Sequence, residues 1–160
     1  MTVVVATDDP HRPDVLALLH EHLADMYATS PAESVHALDP AALTGPTMTF
    51  WTARAADGAL LGCVALHELA PDAGELKSMR TAAASRGRGV GATMLAHVVA
   101  DATARGYRTL HLETGSEPYF AAARRLYERA GFTTCGPFAG YGPDPLSAFY
   151  RLTLPAAPPA

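Results

Sequence analysis

Cysteine is scarce in this 160-residue chain, and the two it has, Cys63 and Cys135, stand far apart. Neither belongs to a C-x-x-C pair and each falls in a strand-like stretch, so both are expected to be buried structural thiols. Charge is thin as well. Charged residues make up 18% of the chain and the formal net charge is −4, which does not favour the basic patch of a nucleic-acid binder. Polar residues interrupt every apolar run well before it could span a bilayer. The first ten residues, MTVVVATDDP, contain neither a basic leader nor an apolar stretch of signal-peptide length, so a cytoplasmic location is expected. The chain also lacks H-E-x-x-H. His20 and His22 are two apart on an expected helix and point to different faces, so no metal site is expected.

What is present suits a folded α/β protein. Hydrophobic residues make up 49% of the chain, enough for one domain over residues 1–154 with a single core. The tail PAAPPA, residues 155–160, is expected to be disordered. Residues 2–6 read as a short strand. Val15, Leu16, Leu19, Leu23 and Met26 recur at helical spacing and predict a helix over 13–28. A second short helix is expected over 32–43, with an interruption at Asp39-Pro40. Strands are expected over 47–54 and 59–69, joined by the Asp57-Gly58 turn as a hairpin, and over 75–81 after the turn 71–74. An amphipathic helix over 89–105 ends at Arg105-Gly106, with a cation in the last turn and glycine just after. A strand over 108–114, a helix opened by Ser116-Glu117-Pro118 and closed by Gly131, and strands over 132–135 and 146–154 complete the pattern. The order implies a mixed sheet, antiparallel in its first half, with no internal repeat.

Between the strand at 75–81 and the helix at 89–105 lies Arg86-Gly87-Arg88-Gly89-Val90-Gly91. Glycines let a backbone approach a ligand closely. The helix that follows contributes unpaired N–H groups and a positive dipole end, and the two arginines add charge. Such a loop suits a pyrophosphate. Gly87, Gly89 and Ala92 also fit the G-x-G-x-x-A dinucleotide fingerprint, but residues 82–85 separate the loop from its strand and no second βαβ half follows. A P-loop would need Gly-Lys-Ser/Thr, which is missing. Taken alone, the loop is also compatible with an ordinary glycine-rich turn.

The loop has company. RGRGVG resembles the R/Q-x-x-G-x-G/A signature of the GNAT superfamily, matched by Arg86, Gly89 and Gly91. About forty residues on, Ala123, Leu126, Tyr127, Gly131 and Phe132 are similar to the family's A-x-x-L-Y-x-x-x-G-F ending. The segment 75–132 resembles the GNAT core along its length, and the rest fits more loosely. The resemblance implies a GNAT fold, a mixed central sheet with a V-shaped split flanked by helices. It implies an N-acetyltransferase that moves an acetyl group from acetyl-CoA to a primary amine of a small molecule by direct transfer, with no cysteine placed for a covalent intermediate. Coenzyme A would lie between the strands at 75–81 and 108–114. Its pyrophosphate would rest on Arg86, Gly87, Arg88, Gly89, Val90 and Gly91, and its pantetheine arm would pair near Met79 and Thr81. Phe120 occupies a position where the family often has asparagine against the cofactor. An acyl-CoA-binding module without turnover is the alternative. The oligomeric state is left open, with a homodimer common in the family.

Acyl transfer to an amine needs a base, an oxyanion donor and an acid for the departing thiolate. The resemblance makes Tyr127 the acid and the backbone near Met79 the oxyanion donor. Glu75, at the position of the base in the histone-acetyltransferase branch, is the favoured base. Glu113 is its rival, and a water relay is the third option. Acceptor-pocket candidates are Tyr27, Glu33, His36, Phe138 and Tyr141. Lys77 and Arg80 are unusual in a strand expected to be half-buried. They are expected either to neutralise carboxylates or to grip an acidic group on the acceptor.

Overall fold

A computed structural model describes residues 2–36 and 39–156. The disorder expected for 155–160 falls mostly outside them. Seven strands form one sheet: β1 (Val3–Thr7), β2 (Met48–Ala55), β3 (Leu60–Ala70), β4 (Ala73–Thr81), β5 (Thr109–Gly115), β6 (Thr133–Cys135) and β7 (Ser147–Thr153). Their spatial order is β1-β2-β3-β4-β5-β7-β6. Every neighbouring pair is antiparallel except β4 and β5. Three α-helices, α1 (Pro13–Thr29), α2 (Val90–Ala104) and α3 (Ala121–Arg129), cover the two faces.

Alternation along the central strands builds two cores. Trp51, Val64, Leu66 and Leu76 point to one face and pack with Val90, Met94, Leu95 and Val98 of α2. Phe50, Cys63 and Ala65 point to the other and pack with Val15, Leu18 and Leu19 of α1. A central strand covered on both faces reads as a continuous apolar run, and residues 61–66 are all buried. Cys63 is fully buried, and burial pushes its thiol up to about 12.

The helix expected over 32–43 does not form. Short 3-10 turns at Ala32–Ser34 and Pro40–Leu43 take its place, and residues 37–38 of that expectation lie outside the described residues. Asp39 is extended because it precedes proline, and its carboxylate caps the second turn by accepting from the Ala42 N–H at 3.0 Å. The helix expected from Ser116 begins instead as a 3-10 turn at Pro118–Phe120, which α3 continues.

The path of β4 controls the centre of the molecule. β4 and β5 pair only through Ala73↔Thr109, Gly74↔Leu110 and Glu75↔His111. Beyond Glu75 both strands run on, β4 to Thr81 and β5 to Gly115, without pairing. On its other edge β4 carries an extra residue against β3, between Lys77↔Ala65 and Arg80↔Cys63. Ser78 lies within this bulge at φ +50°. A bulge bends its strand and increases local twist, so β4 turns away from β5 and a V opens.

Asp8 ties the start of the chain to this sheet. Its Oδ2 accepts from Thr52 Oγ1 at 2.7 Å and from Arg54, whose guanidinium also donates to Asp14 of α1. Burial raises the Asp8 carboxyl, but Thr52, the Asp9 N–H, Arg12 and Arg54 outweigh it and hold it at about 2. A folded-state value below the ordinary 3.8 stabilises the native state above that range, and the gain is lost as pH falls toward 2. With solvent screening discounted from the full linkage value, Asp8→Asn is expected to cost about 1–2 kcal/mol at neutral pH. Urea unfolding at a series of pH values checks this: the gap between wild type and variant must close as pH falls from about 4 to about 2.

Candidate active site

The V between β4 and β5 holds a cavity of about 310 Å³. One wall is β4 from Glu75 to Thr81, and the other is β5 from Leu112 to Gly115. His22 and Met26 of α1, Ser34 and His36 of the following segment, Tyr119, Phe120, Tyr127 and Tyr141 complete it.

At one end lies the glycine loop. Gly87 and Gly89 sit at φ +76° and +82°, and a Cβ at either would meet nothing within 4 Å. Their requirement is conformational. Gly91 differs, because a Cβ there would come within 3.2 Å of Leu126, so its absence lets α2 and α3 approach. Gly89 caps α2, and its carbonyl accepts the first helical bond from the Thr93 N–H. The N–H groups of the first turn are then free of intrahelical partners and face open space with the dipole behind them. Arg86 lines the cavity beside this loop.

In the middle of the cleft stands Tyr127. It is 7% exposed, and its hydroxyl lies 3.8 Å from Met79 Sδ. Burial, then the nearby Glu113 charge, raises the phenol to about 12. It therefore stays protonated, as a proton donor must. Burial also holds the Glu113 carboxyl above the ordinary carboxylate range, and the Glu75 charge acts in the same direction against Lys77. Glu75 is 4% exposed. Its Oε2 accepts from the Tyr141 hydroxyl at 2.6 Å and lies 3.4 Å from Lys77 Nζ. Lys77 in turn donates to the Tyr141 oxygen at 2.7 Å and to the His36 carbonyl at 3.2 Å.

Arg80 is occupied elsewhere. Its guanidinium is buried and reaches Glu21 and Asp25 of α1, each at 2.6 Å. It docks α1 onto β4, and of the two roles expected for it the structure shows neutralisation of carboxylates. Met79, Thr81, Arg86 and Phe120, expected at the cofactor, line the cleft together with His36 and Tyr141, expected at the acceptor. Arg88 belongs to the loop and Val90 is the first residue of α2, packed in the core; neither is on the cavity wall. Tyr27 and Glu33 are exposed and line neither this cleft nor the second cavity that adjoins it. Phe138 packs against His111, Tyr141 and Phe149 and so supports the wall from behind.

Sequence reasoning missed His22, Met26, Ser34 and Tyr119. His22 carried a legible signal. It lies on the stripe Val15, Leu18, Leu19, Met26 that faces the sheet, and a polar residue on an apolar stripe must be either paired in the core or turned toward a cavity. Burial, with the Arg80 charge adding, lowers it to about 4 and keeps it neutral. Among the described residues no three His, Cys, Asp or Glu side chains gather so as to hold a metal ion, and no helix is long and apolar enough to cross a membrane.

Residues 15–132 match the model of the acetyltransferase (GNAT) family. The chain is 48% identical over 150 residues to the uncharacterized N-acetyltransferase YsnE of Bacillus subtilis, covering 94% of this chain and 99% of that one. It is 38% identical to the IAA acetyltransferase of Azospirillum brasilense, over 95% and 98% of the two chains. Among solved structures, a Klebsiella pneumoniae protein assigned as an acyl-CoA N-acyltransferase superposes with a TM-score of 0.77 at 31% identity, over 96% of this chain and 98% of that one.

Gly89→Asp puts a carboxylate where the first-turn N–H groups converge, at a φ that aspartate tolerates better than most residues. The variant is expected to fold cooperatively and to lose acetyl-CoA binding by calorimetric titration. Unchanged affinity would place the pyrophosphate elsewhere.

Proposed function

The chain belongs to the GNAT acetyltransferase family, and we propose that it carries the acetyl group of acetyl-CoA directly to the primary amine of a small acceptor bearing an acidic group. That it is an acyl-CoA-dependent N-acetyltransferase follows from the family and its relatives. The rest rests on one observation: a buried, protonated phenol and a half-buried carboxyl of raised proton affinity share the cleft where β4 and β5 part.

In this reading the acceptor arrives as an ammonium between Glu75 and Glu113. Glu75, held by Tyr141 and Lys77, attracts it. Glu113 takes its proton. Glu75 is engaged by Tyr141 and Lys77, whereas burial raises the proton affinity of Glu113, so the base role expected first for Glu75 is assigned in this reading to Glu113. The free amine attacks the thioester carbonyl, a C–N bond forms, and the carbon–sulfur bond breaks. Tyr127 supplies the proton that the departing thiolate needs, and the second proton shed by the nitrogen as the amide forms restores the phenol. The Met79 N–H, on the bulged stretch of β4 that lines the cleft, serves the oxyanion. With Arg80 engaged by α1, Lys77 is the cation left for an acidic acceptor. The name of the Azospirillum relative supports a small-molecule acceptor.

Tyr127→Phe keeps the ring and removes the proton. Turnover is expected to fall by roughly 10², with acetyl-CoA affinity near normal and stability changed by less than about 1 kcal/mol. Wild-type turnover would remove Tyr127 from the mechanism. Glu113→Gln tests the base. Activity of the wild type rises with pH through the raised Glu113 value, because only the ionised form accepts a proton. In the variant that acid limb must vanish while acetyl-CoA binding persists. A thiol-release panel tests the acceptor: spermidine turning over best would sink the acidic-acceptor reading.

A further inference from the structure

A second cavity, of about 600 Å³, adjoins the first. The two share four residues: His36, Glu75, Lys77 and Tyr141. Those side chains are therefore the partition between the reaction cleft and an open chamber. The chamber's far walls are the segment before β2, the β3 residues His67 and Leu69, and the loop 139–142. Beyond the partition its lining mixes the apolar Ala42, Pro46, Met48 and Leu69 with Thr44, Thr47 and His67.

The partition hangs on a single hydroxyl. Tyr141 Oη accepts from Lys77 Nζ at 2.7 Å and donates to Glu75 Oε2 at 2.6 Å. One oxygen thus bridges a cation and an anion. Lys77 is the only lysine of the chain, and its other short partner is a neutral carbonyl. The carboxylate that would neutralise it lies at 3.4 Å, the longest of its three contacts. Tyr141 stands between Gly140 and Gly142, two residues beyond Ala139 at φ +50°, so the loop that holds it has few side chains to anchor it.

The geometry points to an α-amino acid with a bulky apolar or aromatic side chain as the acceptor: it replaces the Tyr141 hydroxyl, its carboxylate on Lys77 and its ammonium against Glu75, with the side chain in the second cavity. A zwitterion is the small molecule that accepts from a cation and donates to an anion over the short span one hydroxyl now bridges. The chamber lies within the roughly 300–1,000 Å³ range of small-molecule sites and is larger than glycine or alanine would need. His36 and Tyr141, in edge-to-face contact at 5.0 Å, offer a ring-bearing side chain aromatic partners. The inference rests on the acetyl-transfer reading above and names the acceptor class for the same site.

Three probes decide it: L-phenylalanine, phenethylamine, which lacks the carboxylate, and L-alanine, which lacks the ring. Thiol release from acetyl-CoA by the wild-type enzyme gives kcat/KM for each. Phenylalanine is expected to exceed both others by roughly tenfold or more. Leu69→Trp, which narrows the chamber, is expected to lower the phenylalanine value far more than the alanine value. Tyr141→Phe removes the competing hydroxyl and is expected to lower KM for phenylalanine, which takes both of its partners, more than for phenethylamine, which takes only Glu75. Phenethylamine equal to phenylalanine in the wild type overturns the zwitterion, and alanine equal to phenylalanine overturns the chamber. Turnover of other amines with none of these three overturns the inference and leaves acetyl transfer standing. Failure of every amine sinks both. The wild-type comparison is decisive even where a variant does not fold.

Discussion

Two parallel strands that stop pairing after three residue pairs create everything else in this molecule. A parallel sheet is ordinarily closed by continuous backbone hydrogen bonds, and a strand that leaves its neighbour exposes donors and acceptors that must be answered. Here β4 keeps its bonds to β3 on the other edge and leaves β5 after Glu75. The extra residue at Ser78 bends β4 outward. β5 keeps its other edge fully paired with β7, from Thr109↔Thr153 to Gly115↔Ser147. The gap between them is stable because each arm is anchored by its outer neighbour. Helices α2 and α3 then close one face of the V, and α1 with the following segment closes the other.

Charge inside such a gap has to be balanced locally. The cleft walls carry Arg80, Lys77, Glu75 and Glu113, all on strands that the cores would otherwise fill with apolar groups. An unpaired buried charge is costly, and the fold answers it in two ways. Arg80 reaches out to half-exposed carboxylates on α1, so its pair is closed and structural. Lys77 is answered by the Glu75 carboxylate at 3.4 Å and by the neutral oxygens of Tyr141 and His36. Burial leaves the Glu113 carboxyl with a raised proton affinity and the Tyr127 phenol firmly protonated.

Much of this is legible before the fold. The helix at 90–104, the loop before it and the strand after it follow from hydrophobic period and glycine placement, because the nearest neighbours in sequence decide them. The alternation of Phe50 and Trp51 between two cores is likewise a period-two pattern. The segment 32–43 departs from its expected helix because helical composition there competes with Pro31 and the Asp39-Pro40 pair, and local backbone restriction wins. Tyr27 and Glu33 are near the pocket in sequence but not in it, since the helix phase that turns Tyr27 outward depends on which stripe of α1 meets the sheet. The same phase, invisible without the sheet, is what brings His22 into the cleft.

The order of strands and helices, the anion-binding character of the glycine loop and the presence of Tyr127 on the helix that closes the core are all written in short stretches of chain, since local spacing and turn chemistry set each of them. Long-range packing alone settles that β7 slips between β5 and β6, that Arg80 is spent on α1 while Lys77 is not, and that Tyr141 crosses to bridge Lys77 and Glu75. Those outcomes join residues tens of positions apart, and which partner a charged side chain finds depends on the spacing and bend of whole strands, which no local pattern encodes.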